Sequence, residues 1–314
     1  MAELGYALSS EEQTPDQLVA NARRAEEASF DFIGVSDHFH PWVSRQGNSP
    51  FVWSVLGAIA EATEEIEVGT GVTCPIVRTH PAIVAQASAT AATMLEERFF
   101  FGVGTGENLN EHVTGERWPP APVRLSMLEE AVEIIRALWT GDEQTHYGDH
   151  FTVENAQLYT TPERPPPIHV AAAGERAASA ASEFGDGLVT TSPDEELVDV
   201  FGSNGPTYGQ LTVCWADDER TARETAYEWW PNGAIEGELT AELPTPAHFE
   251  QAAAMVDRED VAEAVVCGPD VDEHVAAIQE YVDAGFDHVY VHQVGPDQEQ
   301  FIQRYADAVL PSFS

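Results

Sequence analysis

The 314-residue sequence contains no lysine, and its 14 arginines stand against 54 acidic residues. The resulting formal net charge of −40 is far outside ordinary globular composition. The acidic residues are spread along the chain and are not gathered in a tail, so we expect the whole surface to be negatively charged. Repulsion of this size destabilises a compact state at low ionic strength, and 1 M salt relieves it because the Debye length falls to roughly 3 Å. We interpret the composition as adaptation to molar salt, as in extreme halophiles, with an acidic low-salt protein as the alternative.

Cysteine and long apolar runs are also scarce. Cys74, Cys214 and Cys267 are odd in number and widely spaced, which excludes a disulfide framework or a zinc set. No apolar run approaches the ~20 residues that cross a bilayer, and residues 1–6 have no basic region typical of a signal peptide. The negative charge argues against nucleic acid and anionic membranes as partners. We therefore expect a cytoplasmic protein.

Short β-rich runs alternate with longer helical patterns along the chain. This alternation favours a closed (β/α)8 TIM barrel over an open doubly wound sheet. A two-domain α/β protein is the alternative, but no linker rich in Pro, Gly or Ser supports it, so we expect residues 1–314 to form a single barrel domain. The eight predicted strands cover residues 4–8, 32–36, 66–73, 99–103, 168–172, 188–191, 211–215 and 288–292.

Two stretches interrupt the alternation. Residues 141–167 predict a long excursion with one hairpin. Residues 231–263 predict an insertion between strands seven and eight that contains a helix or two. Active sites of barrels are built from loops at the carboxyl ends of the strands, so the residues that follow each strand are the ones to consider.

The runs that follow strands two, three and four carry the chemistry. Ser-Asp-His-Phe-His-Pro-Trp occupies residues 36–42, Gly-Thr-Gly-Val-Thr-Cys-Pro residues 69–75, and Gly-Val-Gly-Thr-Gly-Glu-Asn-Leu-Asn-Glu residues 102–111. The sequence thus predicts that a base (His38), an acid (Glu107) and a large aromatic residue (Trp42) lie beside glycines at one rim of the barrel. Trp42 stands apart from the other tryptophans because it follows a His-Pro turn at a strand end.

His38 and His40 form an His-x-His pair of the kind that opens the site of metal-dependent hydrolase barrels. Such a site needs further ligands at later strand ends, often with a carbamylated lysine. This chain has no lysine, and His288 and His292 share one face of a strand without a clear place at the rim. We therefore predict no metal and interpret His40 as structural.

The glycine-rich run at residues 102–107 is not a dinucleotide fingerprint, because its third glycine follows the second by two residues instead of three. It fits either the close approach of a flat ring or a tight turn. Glu107, among small and apolar neighbours, could act as a general acid, or be one exposed acid among 54. Arg176, at the start of a predicted helix, could assist a bound anion or lie on the surface.

Taken together, these segments resemble the bacterial-luciferase-like superfamily of (β/α)8 barrels. Within it, the chain is most similar to the deazaflavin-dependent glucose-6-phosphate dehydrogenase group, which uses coenzyme F420. The resemblance covers residues 4–311, and residues 35–42, 102–111 and 185–192 are its specific part. It implies an F420-dependent oxidoreductase, and we expect a homodimer.

Carried over by motif, the resemblance implies the roles of individual residues. His38 would be the catalytic base, Glu107 would protonate the cofactor, and Trp42 would support the reacting pair. Thr191 would lie between cofactor and substrate. The residues implied to contact the cofactor are Asp37, Gly71, Val72, Cys74, Thr105, Gly106, Asn110, Ala173, Gly174, Arg176 and Ala177.

Two positions in this set have features of their own. The peptide between Gly71 and Val72 matches the place of a non-prolyl cis bond in the superfamily, and Cys74 replaces the usual threonine. A histidine suits removal of a hydroxyl proton while hydride leaves the carbinol carbon, since its pKa is normally near neutrality.

The function predicted is hydride transfer between the carbinol carbon of a sugar or secondary alcohol and C5 of F420. An FMN-dependent luciferase-like monooxygenase is the main alternative, and a metal hydrolase or a non-catalytic binding barrel are others. The loop at residues 191–196 is acidic, and the insertion offers only Arg258 and His248 as cations. A buried phosphate would lack charged partners there, so we expect a neutral sugar or small secondary alcohol instead of glucose 6-phosphate.

The composition predicts that folding depends on salt. Thermal unfolding measured from low to molar KCl should show a rising midpoint, because screening removes the repulsion among the acidic residues. A midpoint that does not change between low and molar salt would contradict the halophilic interpretation.

Overall fold

The computed structural model describes residues 2–235 and 237–313. Its strands in chain order are β1 (Glu3–Leu8), β2 (Phe32–Val35), β3 (Glu67–Thr70), β4 (Phe99–Val103), β5 (Gln144–Tyr147), β6 (Thr152–Ala156), β7 (Ile168–Ala171), β8 (Gly187–Thr190), β9 (Thr207–Cys214), β10 (Val266–Cys267) and β11 (His288–Gln293). Its α-helices are α1 (Pro15–Glu27), α2 (Val52–Ala62), α3 (Pro81–Leu95), α4 (Asn108–Glu111), α5 (Ala121–Trp139), α6 (Glu175–Phe184), α7 (Glu195–Phe201), α8 (Glu219–Trp229), α9 (Leu239–Glu242), α10 (Pro246–Ala253), α11 (Arg258–Ala264), α12 (Val271–Asp283) and α13 (Gln298–Ala308).

Eight parallel strands close into a barrel. Their order is β1-β2-β3-β4-β7-β8-β9-β11, and the last strand pairs with the first, with Glu3 opposite His288. The short strand β10 pairs with the carboxyl end of β9. The predicted (β/α)8 barrel is confirmed. Within the described residues, no helix combines the length and apolarity that crossing a bilayer requires.

The seventh barrel strand and the helix before it differ from the sequence prediction. Strand β9 begins at Thr207 instead of residue 211, and α7 fills a segment for which no helix was predicted. The first half of β9 was missed because its inward-facing side chains include Tyr208 and Gln210, which interrupt the apolar run used to recognise a buried strand.

Local signals explain why α1 begins where it does. The Thr14 side chain accepts a hydrogen bond from the backbone N–H of Gln17, and the Gln17 side chain accepts one from the Thr14 backbone N–H at 2.9 Å. Pro15 occupies the first helical position. This capping box satisfies backbone donors that the helix itself leaves free.

Aromatic rings close the amino-terminal end of the barrel interior. The ring of Tyr208 stacks on those of His169, His288 and Phe100, with centroids 4.6, 4.2 and 5.4 Å apart. Burial lowers the pKa of His169 to about 4, so this histidine is neutral in the closed layer. Because this end is filled, the barrel is open only at the carboxyl ends of its strands.

Both predicted interruptions are present. Strands β5 and β6 form an antiparallel hairpin. Between β9 and β11, after α8, the insertion contains a short 3-10 turn (Pro231–Ala234), followed by α9, α10 and α11, which is more helix than was predicted. Phe249 of α10 packs its ring against Trp42, with centroids 5.1 Å apart. The insertion therefore folds back over the barrel rim.

Candidate active site

A cavity of about 1030 Å³ lies at the carboxyl ends of the barrel strands. Its wall combines the strand ends with Trp230, at the end of α8, and with Asn232 and Ile235 of the helical insertion. The rim predicted to carry the chemistry thus forms the mouth of this cavity.

His38 follows β2 and lines the cavity. Its Nδ1 lies 3.0 Å from Oε1 of Glu11 and 3.3 Å from the backbone oxygen of His40. Two acceptors around Nδ1 assign the proton of a neutral ring to that atom, which leaves Nε2 free to accept a proton. The ring of Trp42 stands edge-on to His38 with centroids 4.9 Å apart. The geometry suits a histidine base.

Glu11 is buried beneath His38. Its Oε2 accepts hydrogen bonds from Ser36 Oγ at 2.6 Å and Ser9 Oγ at 3.1 Å. Burial alone would raise the pKa of Glu11, but the charge of His38 and the hydrogen bond from Ser36 outweigh it and hold the pKa below its usual value. Glu11 is therefore an ionised partner that orients the imidazole.

The next residue, Glu12, makes a second pair of the same kind. Its Oε2 lies 2.7 Å from Nε2 of His292 on β11, and its Oε1 accepts the backbone N–H of Gly295 at 2.8 Å. The ring of Trp230 contacts His292 edge-on at 4.4 Å. His292 also lines the cavity. Neither this pair nor the role of Glu11 was predicted from the sequence. The available signal was that both glutamates follow a barrel strand closely, which places them near the rim.

Glu107 lies across the cavity at the start of α4. Its Oε2 accepts a hydrogen bond from Asn110 Nδ2 at 3.3 Å. The amide oxygen of Asn110 accepts the backbone N–H groups of Phe39 and His40, at 2.9 and 3.1 Å. Asn110 therefore couples the loop that carries His38 to the loop that carries Glu107. His40 is held by its own contact between Nδ1 and the backbone oxygen of Leu109 at 2.8 Å, in agreement with a structural role.

A buried ionic cluster supports this wall from behind. The Arg78 guanidinium donates to Oδ1 of Asp37 at 2.8 Å, and the Arg78 backbone N–H donates to Oε2 of Glu111 at 2.8 Å. Thr73 donates to the other carboxylate oxygen of Asp37 at 2.9 Å. Burial raises the pKa of Glu111 to about 7 against the opposing charge of Arg78. Neither Arg78 nor Glu111 was singled out from the sequence.

The glycines of the rim serve close packing as well as a turn. A Cβ on Gly102 would lie 2.0 Å from the backbone oxygen of Thr70, so strands β3 and β4 approach there as only glycine allows. Gly106 has φ +69°, and a Cβ on it would lie 2.5 Å from Cys74 Sγ. The peptide between Gly71 and Val72 is cis, as the resemblance implied.

The remaining predicted residues divide into two groups. Asp37, Cys74 and Asn110 do not line the cavity. Their positions therefore do not support direct contact with a bound cofactor. The others line the cavity, namely His38, Trp42, Gly71, Val72, Thr105, Gly106, Glu107, Ala173, Gly174, Arg176, Ala177 and Thr191. His38 and His40 point to different partners, so this pair does not converge as metal ligands would.

The barrel, with the His38–Glu11 pair in a cavity at the carboxyl ends of its strands, defines the class of this protein as a (β/α)8 barrel enzyme. The family model for luciferase-like monooxygenases matches residues 1–288, and the chain belongs to that family. A curated relative from Microbacterium testaceum, an F420-dependent glucose-6-phosphate dehydrogenase, is 36% identical over 98% of this chain and 96% of its own length.

Solved structures extend the comparison. An F420-dependent secondary alcohol dehydrogenase in complex with an F420-acetone adduct is 31% identical, with a TM-score of 0.91 over 98% of both chains. A monooxygenase from Streptomyces bottropensis is 20% identical, with a TM-score of 0.77 over 99% of this chain and 100% of its own. The latter likeness concerns the fold alone.

The Arg78 cluster gives a stability prediction. Arg78→Met should lower the free energy of unfolding by about 3–5 kcal/mol, because it leaves two buried carboxyl groups without their cation. Arg220→Met is the control, since Arg220 is exposed and paired with Glu224 on the surface, and it should cost less than about 1 kcal/mol. Denaturant unfolding of both variants in molar KCl measures the difference. Equal effects would contradict a supporting role for the cluster.

Proposed function

We propose that this protein is an F420-dependent dehydrogenase that acts on a CH–OH group. The observation that carries the proposal is that the histidine of the His38–Glu11 pair faces the same cavity as the glycine-rich ends of β3 and β4. The relatives named for F420-dependent dehydrogenases support it over an FMN-dependent monooxygenase, whose likeness at 20% identity is one of fold.

The cavity wall fits a flat cofactor with a phosphate-bearing tail. A Cβ on Gly71 would meet little except Tyr290, at 3.6 Å, so the glycine keeps that part of the cavity free for a ring. At the other end, Gly174 precedes the ten-residue helix α6, and a Cβ there would meet nothing within 4 Å. Free N–H groups at this helix start, with Arg176, suit an anionic group. The volume of about 1030 Å³ suits a cofactor together with a small substrate.

In the proposed reaction, His38, Glu11, Trp42 and Glu107 have different roles. When bound, F420 supplies a carbon that accepts or returns a hydride. His38 Nε2 takes the hydroxyl proton of the substrate, and Glu11 holds the opposite face of the imidazole and stabilises its charged form. Trp42, held by Phe249, fixes the orientation of His38 and excludes water. Glu107 gives or takes a proton on the cofactor side.

We propose a neutral substrate. Among the described residues that line the cavity, Arg176 is the one arginine and there is no lysine. Arg176 lies at the α6 end, which is assigned to the cofactor phosphate, whereas Glu11 and Glu238 add negative charge elsewhere. A phosphorylated substrate would lose its hydration without gaining charged partners. Glucose 6-phosphate is therefore expected to be a poor substrate.

The test is a titration with F420 in molar KCl, followed by the absorbance of the deazaflavin when alcohols and sugars are added. Saturable binding and bleaching by a neutral alcohol are expected. His38→Ala should lower turnover by about 10²–10⁴ while F420 still binds, because only the base is lost.

His40→Ala is the matched control and should be milder, since His40 contacts the backbone of Leu109 and does not line the cavity. FMN binding as tight as F420 binding, with oxygen consumption, would favour the monooxygenase. Near-normal turnover in His38→Ala would remove the mechanism.

We further propose that two copies associate through α2 and α3. These helices carry a single charged residue, Glu61, in a chain with net charge −40. Phe51, Ile83 and Met94 are exposed, from 41% to 65%. Two strongly acidic molecules repel everywhere except where the surface is uncharged, so this face is the one that supports a homodimer.

Sedimentation in molar KCl tests the association. The wild type should sediment as a dimer, and Ile83→Asp with Met94→Asp should give a monomer because charge is placed in the contact. Val200→Asp, on exposed helix α7, should leave the dimer intact. A monomeric wild type would overturn the proposal.

We propose that residues 1–314 form a single barrel domain. The pairing of β11 with β1, from opposite ends of the chain, supports this proposal.

We propose a cytoplasm of molar salt as the location of the protein. The absence of lysine and the net charge of −40 support this proposal.

A further inference from the structure

Two barrel strands present polar side chains to the cavity in matching positions. On β9 and β11, Gln210 lies opposite Tyr290, and Thr212 lies opposite His292. All four line the cavity. Neighbouring strands are about 4.8 Å apart and alternate residues share a face, so these four side chains form one continuous surface. We call Gln210, Thr212, Tyr290 and His292 the β9–β11 polar patch.

The patch has hydrogen-bonding capacity that the protein itself does not use. Within residues 2–235 and 237–313, the side chains of Gln210, Thr212 and Tyr290 make no hydrogen bond to another residue. Nδ1 of His292 and Oδ1 of Asn232, which lines the cavity beside the patch, are buried without a partner. Polar groups in such positions are normally satisfied by water or a ligand.

Gln210, Thr212 and His292 lie on strands away from the wall assigned to the cofactor, whereas the Tyr290 hydroxyl reaches the edge of that wall, 3.6 Å from a Cβ built on Gly71. That wall is formed by the ends of β3, β4 and β7, where Gly71, Gly106 and Gly174 lie. In the barrel order, β9 and β11 occupy the opposite arc. His38 after β2 and Thr191 after β8 stand at the two borders. A substrate whose carbinol reaches His38 therefore extends over the patch.

The chemistry of the patch selects the kind of substrate. It offers an amide, two hydroxyl groups and an imidazole, and none of its four side chains is an arginine, a lysine or a carboxylate. These groups match the donors and acceptors of hydroxyl groups. The single hydroxyl of a simple alcohol is already taken by His38, so such a molecule would leave the patch without partners.

We propose that the β9–β11 polar patch, together with Asn232, is a hydroxyl-binding subsite, and that the preferred substrate is a neutral polyhydroxylated carbinol such as a polyol or an unphosphorylated sugar. This inference rests on the proposed function and narrows its substrate. In the reaction, the carbinol carbon gives a hydride to F420 and its hydroxyl gives a proton to His38, so the carbinol becomes a carbonyl.

Steady-state kinetics with F420 in molar KCl test the subsite. The substrates compared are 2-propanol, sorbitol, glucose and glucose 6-phosphate. We expect kcat/KM for sorbitol or glucose to exceed that for 2-propanol and for the phosphate by about tenfold or more, because only the neutral polyhydroxylated compounds satisfy the patch. A higher kcat/KM for 2-propanol would overturn the inference and leave the proposed function standing.

The paired variant Gln210→Leu with Thr212→Val keeps the shape and removes the polar groups. We expect it to lose about tenfold more kcat/KM for the polyhydroxylated substrate than for 2-propanol. Gln303→Leu, on exposed helix α13, is the matched control and should leave that ratio unchanged. Equal losses for both substrates would show a merely structural role and overturn the subsite.

Calorimetric titration of sorbitol and glucose gives a readout that needs no turnover. With F420 bound, the wild type and Gln303→Leu should bind a polyhydroxylated compound, and the patch variant should bind it at least about tenfold more weakly. If no alcohol bleaches F420 while this difference is seen, the proposed function fails and the subsite stands. If neither sorbitol nor glucose binds, the subsite is wrong.

Discussion

Two adjacent buried carboxylates determine the geometry of this site. Glu11 and Glu12 follow β1, and their side chains reach in opposite directions, one to His38 after β2 and the other to His292 on β11. Strand β1 lies between these two strands in the barrel. Removing His38 would leave the buried Glu11 carboxylate without its partner, at a cost of several kcal/mol. One short segment after β1 thus joins the ends of three neighbouring strands and helps to position His38.

That segment is unusual because it is polar and wholly enclosed. Residues 9–13 read Ser-Ser-Glu-Glu-Gln, and all five are at least nine-tenths buried. Their groups are paired largely with each other and with Ser36, His38 and His292. The cluster around Arg78 does the same for Asp37, the residue before His38. Buried polar networks therefore hold both His38 and its neighbour in the chain, which suits the base that we propose, since the position of such a group must not vary.

The barrel and most of the cavity wall could be predicted because they depend on local patterns. Apolar runs alternating with amphipathic helices gave the strand order, and the position of residues after strands gave His38, Glu107 and Trp42. The partners of these residues could not be predicted in this way. Glu11 is one of 54 acids, and Glu12 meets His292 across 280 positions of the chain, so only the three-dimensional register shows which carboxylate is buried. The start of β9 was hidden for a related reason, since Tyr208 belongs to the aromatic layer at the closed end of the barrel and Gln210 lines the cavity, so neither continues an apolar run.

The partition of the cavity between two arcs of the barrel has a consequence for how the enzyme can evolve. Side chains on β9, β11 and the helical insertion can be exchanged without altering the backbone of β3 and β4, where close approaches at Gly102 and Gly106 leave little freedom. One arc is constrained by its main chain and the other is open to side-chain substitution. If the proposed division of the cavity holds, lineages with this architecture can acquire new substrates by a few point mutations while the proposed cofactor wall is inherited intact.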